Sequence, residues 1–170
     1  MNSKQVVAAA SAVILVIILA YPALASGTVS VLLQSSKINE ADHVYARVGN
    51  VWVHMTGPSS GSGWQLISDQ SQTVDLVSLQ NTTLAFVKGQ VPLGGYDSIR
   101  MDISNVTLVF NGTTTALSLQ SSQVLANLNF NTQAGRESTI TLVLGGASQS
   151  VGGTKFFVPS MNATLTGIPG

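Results

Sequence analysis

Apolar residues fall on every second position through most of this chain, and that period leaves few folds open. Val29, Val31 and Leu33 alternate with Thr28, Ser30 and Leu32, and Val44, Ala46 and Val48 alternate with Tyr45 and Arg47. Ile140, Leu142 and Leu144 alternate with Thr139, Thr141 and Val143. Val124, Ala126, Leu128 and Phe130 keep the same beat, with Leu125 an apolar exception between them. Residues two apart share one face of a strand, so each run builds a half-buried strand, and β-branched side chains favour that conformation. No helical stripe of comparable strength follows residue 25, although Gln80 to Lys88 admits one helical turn. The pattern predicts an all-β fold: a single β-sandwich, immunoglobulin-like or jelly-roll-like, of about nine strands.

Two long strands change phase midway. Val44, Ala46 and Val48 give way to Val51 and Val53 across Gly49-Asn50, and Ile99, Met101 and Ile103 give way to Val106, Leu108 and Phe110 across Ser104-Asn105. One extra residue swaps the faces of a strand, so each switch predicts a bulge or a crossing between sheets. Asn111-Gly112, between Phe110 and the Thr113 to Leu119 run, is the strongest hairpin signal. Gly57 to Gly63 reads as a Ser/Gly loop, Gly94-Gly95 as the start of the second long strand, and Gly145 to Gly153 as a flexible connection.

Residues 1–25 have the layout of a secretory signal peptide. Lys4 supplies the charged opening, Val6 to Leu19 an uncharged helix-forming run, and Pro22-Ala23-Leu24-Ala25 a small-x-small cleavage signature before Ser26. The run is shorter than the roughly 20 residues of a spanning helix, and Pro22 interrupts it. These features predict export and cleavage after Ala25, with the membrane engaged only through the leader. The remaining residues 26–170 form one domain. They hold six basic residues (Lys37, Arg47, Lys88, Arg100, Arg136 and Lys155) against seven acidic ones, and no cysteine. So few charges leave no basic stripe for nucleic acid and little repulsion between copies. Without disulfides, the domain relies on its core.

Chemistry-bearing patterns are sparse. Gly57-Pro58-Ser59-Ser60-Gly61 has the letters of a nucleophile elbow, but that device needs a strand turning sharply into a helix, which Pro58 and the following glycines oppose. Thr154-Lys155 reverses the order of a phosphate-cradling loop and starts a strand rather than a helix. His43 and His54 lack the further ligands of a zinc site. Asp97 and Asp102, five apart, point to opposite faces of an unbroken strand and make a poor acid/base pair. These residues predict no enzyme, no cofactor and no metal. Four sequons, at Asn81, Asn105, Asn111 and Asn162, lie on turns or polar faces and are candidate N-glycosylation sites.

Gly27-Thr28-Val29-Ser30-Val31, Ala41-Asp42-His43-Val44-Tyr45-Ala46-Arg47-Val48, Val51-Trp52-Val53-His54, Gly63-Trp64, Val74-Asp75-Leu76-Val77-Ser78-Leu79 and Val91-Pro92-Leu93-Gly94-Gly95-Tyr96-Asp97-Ser98-Ile99-Arg100 follow one another in a characteristic order. In order and spacing they resemble a family of secreted β-sandwich domains of unknown function, found in archaea and bacteria and often as envelope lipoproteins. The most specific piece is a Leu-Pro-x-Gly-x-Tyr-x-x-Ile-Arg motif. The chain departs from the family at Gln34-Ser35-Ser36, where an Asp is usual, and it has no lipobox cysteine, so the resemblance implies no lipid anchor here. The layout also resembles subunits of archaeal surface threads and bundling pili, which polymerise by donor-strand exchange.

Taken with that resemblance, the residues predict a structural subunit of an extracellular filament, pilus or biofilm matrix at the cell surface. Its partners are copies of itself, with glycans as further partners. The donor strand is Thr28, Val29, Ser30, Val31, Leu32 and Leu33, whose alternate residues anchor in a neighbour's open sheet. Pairing of the same strand within its own sandwich is the competing arrangement. The alternative function is a monomeric envelope binding module, for carbohydrate, with Tyr45, Trp52, Trp64 and Tyr96 supplying aromatic faces.

Overall fold

The structure is a computed structural model that describes residues 26–38, 41–57 and 63–167; the leader lies outside the described residues. Nine strands follow in chain order: β1 (Ser26–Ser35), β2 (His43–Met55), β3 (Gly63–Asp75), β4 (Leu84–Pro92), β5 (Gly94–Phe110), β6 (Thr113–Leu119), β7 (Gln123–Thr132), β8 (Glu137–Val151) and β9 (Thr154–Gly167). A 3-10 turn at Ser78–Gln80 is the one helical element among the described residues. The period-two reading of an all-β chain holds. The helical turn allowed for Gln80 to Lys88 does not: the turn ends at Gln80, and Leu84 onward pairs with β1 as β4.

The strands do not separate into the two independent sheets of a sandwich. One hydrogen-bonded path runs β3-β2-β5-β6-β9-β8-β1-β4, with β7 branching from β5. Its two ends, β3 and β4, come against each other at Ile67 and Gly89, so the sheet is a nearly closed, barrel-like wrap. The cause is the length of β5. Its first half, Gly94 to Asp102, pairs with β7, and its second, Val106 to Phe110, pairs with β6. β6 then reaches β9 through the short parallel pairing Ser118↔Phe156 and Leu119↔Phe157, which joins the two halves of the wrap.

Both phase switches are present. Asn50 and Asn105 have φ of 33° and 50°, left-handed conformations that Asn tolerates better than most residues, and the β2–β5 register shifts beside each. The second switch is also the point at which β5 changes partner. Asn111 and Gly112, with φ of 47° and 72°, make the tight hairpin that their dipeptide predicts. Gly145 to Gly153 is corrected. Strand β8 runs on to Val151, pairing residue by residue with β9, and the connection is only Gly152-Gly153.

The core gathers the predicted inward residues. Val29, Leu33, Val48, Val51, Val53, Ile99, Met101, Ile140 and Leu142 are shut off from solvent. Phe110 is the exception, being 47 % exposed on the outer end of β5. Tyr96 of the Pro-x-Gly-x-Tyr segment is buried, stacks on Phe130 at 5.0 Å, and donates its hydroxyl hydrogen to the Pro92 carbonyl at 2.7 Å. Burial pushes its phenol up to about 12, against a lowering by Thr132, so the group stays a donor. A hydroxyl returned to the backbone just upstream fixes the corner that leads into β5, in the manner of a tyrosine corner.

Candidate functional site

The predicted donor strand lies inside β1, and β1 is an interior strand of the sheet, second from its β4 end. It pairs antiparallel with β4, from Ser26↔Pro92 to Leu33↔Leu84, and parallel with β8, from Thr28↔Glu137 to Ser35↔Leu144. Its alternation is complete: Val29, Val31 and Leu33 are buried, whereas Thr28, Ser30 and Leu32 are half-exposed on the other face. Here the strand occupies its own domain. Residues 36–42 connect it to β2.

A polar clasp crosses β1 on its outer side. The Glu137 carboxylate on β8 takes a hydrogen bond from the Ser30 hydroxyl on β1 and an ion pair from Lys88 on β4. The hydrogen bonds of Lys88 and Ser30 hold the Glu137 carboxyl below its ordinary 4.5. A depressed carboxyl adds stability above its unfolded value and loses it as pH falls through the folded one. The pair is solvent-exposed, so the contribution is about 0.5 kcal/mol. Thermal melts should show wild type losing this increment below about pH 4.5, whereas Glu137→Gln lacks it at every pH. Equal acid slopes for the two proteins would show that the clasp carries no stability.

The two histidines form similar arrangements at opposite ends of β2. His43 Nδ1 lies 2.8 Å from Asp75 Oδ2, and Ser78 donates to the same oxygen at 2.6 Å. His54 Nδ1 lies 2.9 Å from Asp97 Oδ1, and Ser98 donates to that oxygen at 2.8 Å. Burial raises the Asp75 carboxyl, but hydrogen bonds from Ser78, His43 and the Val44 and Val77 amides outweigh it and lower the net value. Asp97 is likewise lowered, first by Ser98 and then by His54. In neither cluster does the imidazole stand between serine and carboxylate, which a nucleophile-activating relay requires. Asp97 and Asp102 are corrected. Asp97 and Ser98 together separate the inward Tyr96 and Ile99, so both carboxylates emerge on the outer face of β5. They still do not meet, because Asp102 is held by Asn50 at 2.9 Å and Gln123 at 3.2 Å.

The aromatic residues divide. Tyr96 belongs to the core, and Tyr45 stacks on His43 at 5.5 Å. Trp52 and Trp64 come together on the outer face of β2 and β3, with the Arg100 guanidinium 4.4 Å from one ring and 4.5 Å from the other. His54 meets Trp64 at 5.1 Å. The sequence places Arg100 at the end of the Pro-x-Gly-x-Tyr-x-x-Ile-Arg segment but gives it no functional role. Its signal would have been the register that sets Trp52 opposite Arg100 and His54 opposite Trp64.

A cleft of about 760 Å³ opens beside β6, floored by Leu108, Leu117 and Phe157 and rimmed by Lys37 and Lys155. No histidine or carboxylate lines it. Asn81, Asn105, Asn111 and Asn162 are all exposed, as glycan acceptors must be. The serines of the elbow-like Gly57 to Gly61 stretch lie outside the described residues, and no group of three metal-ligating side chains occurs among those described.

The model of a family described as a domain of unknown function (DUF4382) matches residues 26–155, and the chain belongs to that family. No curated protein and no solved structure matches it.

Proposed function

We propose that this DUF4382 domain is exported, cleaved after Ala25, and built into an extracellular filament or surface matrix as a structural subunit, with the first strand of each copy filling the slot of the next. The observation that carries this reading is the position of β1: the first strand of the described chain, inserted between β8 and β4, paired on both edges and buried at every second residue. Withdrawn as a unit, it leaves the β4 and β8 edges unpaired around an apolar slot. A neighbour's identical strand meets the same hydrogen bonds and the same pockets, so exchange conserves the contacts. Repeated head to tail, such a contact does not close and yields a fibre. The small number of charges lets copies lie together with little repulsion. Self-pairing is favoured when copies are dilute, and crowding at a surface shifts the balance toward exchange.

The test uses the absence of cysteine. Thr28 on β1 faces Gln90 on β4 in the ladder. Copies carrying Thr28→Cys are unfolded with copies carrying Gln90→Cys, refolded together at high concentration and oxidised. Exchange gives a covalent heterodimer whose linked peptides map to positions 28 and 90. Uncrosslinked monomer at all concentrations, together with absence of the protein from sheared surface appendages, overturns the proposal.

A further inference from the structure

Four strands, β3-β2-β5-β7, present an outer face on which two rows of side chains align. One row reads Leu66, Trp52, Arg100, Leu125, and the next reads Trp64, His54, Ser98, Asn127. Leu66, Leu125 and Trp64 are exposed at 48 %, 55 % and 38 %. Most of the polarity on this chain comes from uncharged Ser, Thr, Asn and Gln, so a cation lodged among indoles and leucines stands out.

Arg100 is a cation without an anion. Its guanidinium lies over Trp52 and Trp64, yet among the described residues no carboxylate comes within ion-pair distance, and its Nε is buried with no hydrogen-bond partner. The Asp97 carboxylate nearby in sequence is engaged by His54 and Ser98. A guanidinium held through its faces, with Nε turned inward, keeps the in-plane N–H groups of its two terminal nitrogens for a carboxylate, which arginine also matches bidentately end-on. The indoles and leucines beside it offer apolar area to a ring edge, and Ser98 and Asn127 offer hydroxyl and amide partners along the same row. The surface is a sheet face rather than a closed pocket, so it suits a polymer laid across it better than a small molecule enclosed.

We propose that this face binds an acidic polysaccharide, one whose sugar rings carry carboxylates, with Arg100 taking the carboxylate and the indole surface of Trp52 and Trp64 left uncovered by Arg100 packing on the C–H groups of the rings. The charge complementarity of an unpaired arginine selects the acidic class, and the flanking aromatic rings select a sugar over a bare anion. The site lies away from β1 and stands whether or not strands are exchanged.

Trp52 and Trp64 are the only tryptophans in the chain, so tryptophan emission, excited selectively over tyrosine, reports on this face alone. The full mature chain is titrated with polygalacturonate oligomers, with neutral dextran and with poly-glutamate. Polygalacturonate is expected to shift or quench the emission saturably, and added salt to weaken it. Arg100→Gln is expected to weaken binding at least tenfold, and Arg100→Lys to recover only part, since a point charge replaces the fork. Trp64→Phe, which keeps an apolar ring on the strand, serves should the arginine variant fold poorly, and is expected to weaken binding severalfold. No response to polygalacturonate overturns the proposal. An equal response to dextran overturns the role of Arg100, and an equal response to poly-glutamate overturns the saccharide in favour of an acidic peptide.

Discussion

Val31→Asp should destabilise the domain by about 3–5 kcal/mol, because it strands a carboxylate where no cation or donor meets it. Val31 is 1 % exposed at the middle of β1, between Val87 on β4 and Ile140 on β8, which are themselves buried. For a domain whose whole stability is of order 5–15 kcal/mol, that loss is a large share. Parity provides the control. Leu32 points to the other face and is half-exposed, so Leu32→Asp should cost about 1 kcal/mol or less. Urea unfolding of the two variants tests this directly, and similar losses would mean that β1 does not hold the register described.

The same substitution separates the strand's packing from its exchange. A chain truncated before residue 36 lacks β1 and should melt at a lower temperature, with the β4 and β8 edges open. A synthetic peptide of residues 26–35 should bind it and raise the melting temperature. A ligand at a hundred times its Kd adds about 2.7 kcal/mol if it binds only the folded state. The same peptide with Val31→Asp should give no rise. If neither peptide stabilises the truncated chain, the slot does not accept a strand from outside, and exchange between copies loses its physical basis.

Much of the fold was legible because β structure writes a local signature when one face is buried. The alternation around Val29, Val44 and Ile140 needs no knowledge of the partner strand, and neither do the phase slips at Asn50 and Asn105, where a residue with φ above zero had to be accommodated. What failed depended on distant chain. Gly145 and Gly146 look like loop residues, but a Cβ on Gly146 would fall 2.2 Å from the Phe157 ring, so this glycine serves close packing inside a strand. Leu84 onward has weak alternation and becomes a strand because β1 pairs with it. The wrap itself is invisible locally, since it follows from β5 taking β7 along one half and β6 along the other. The aromatic face was half legible: Trp52 and Trp64 were candidates from the start, yet Arg100 joins them only once the register between β2, β3 and β5 is known.

Closure of the wrap makes a second large effect expected, at Gly89. This residue lies on β4 between the inward-facing Val87 and Val91, and a Cβ added to it would stand 2.1 Å from the Ile67 carbonyl oxygen on β3. That neighbour is backbone, so no rotamer change relieves the overlap. The two ends of the sheet must separate or β4 must shift against β1. Overpacking of this kind costs about 2–3 kcal/mol. Gly146→Ala meets a comparable distance, but the obstacle is the Phe157 ring, which can move and give up part of its packing, so the expected cost is smaller. Gly112→Ala meets no atom within 4 Å and costs only the strain of a φ of 72°, about 1 kcal/mol. Chemical denaturation of the three alanine variants should therefore rank Gly89 above Gly146 and Gly146 above Gly112. A Gly89→Ala protein within about 0.5 kcal/mol of wild type, the spread of an ordinary surface substitution, would mean that β3 and β4 are not held edge to edge and that the sheet is open.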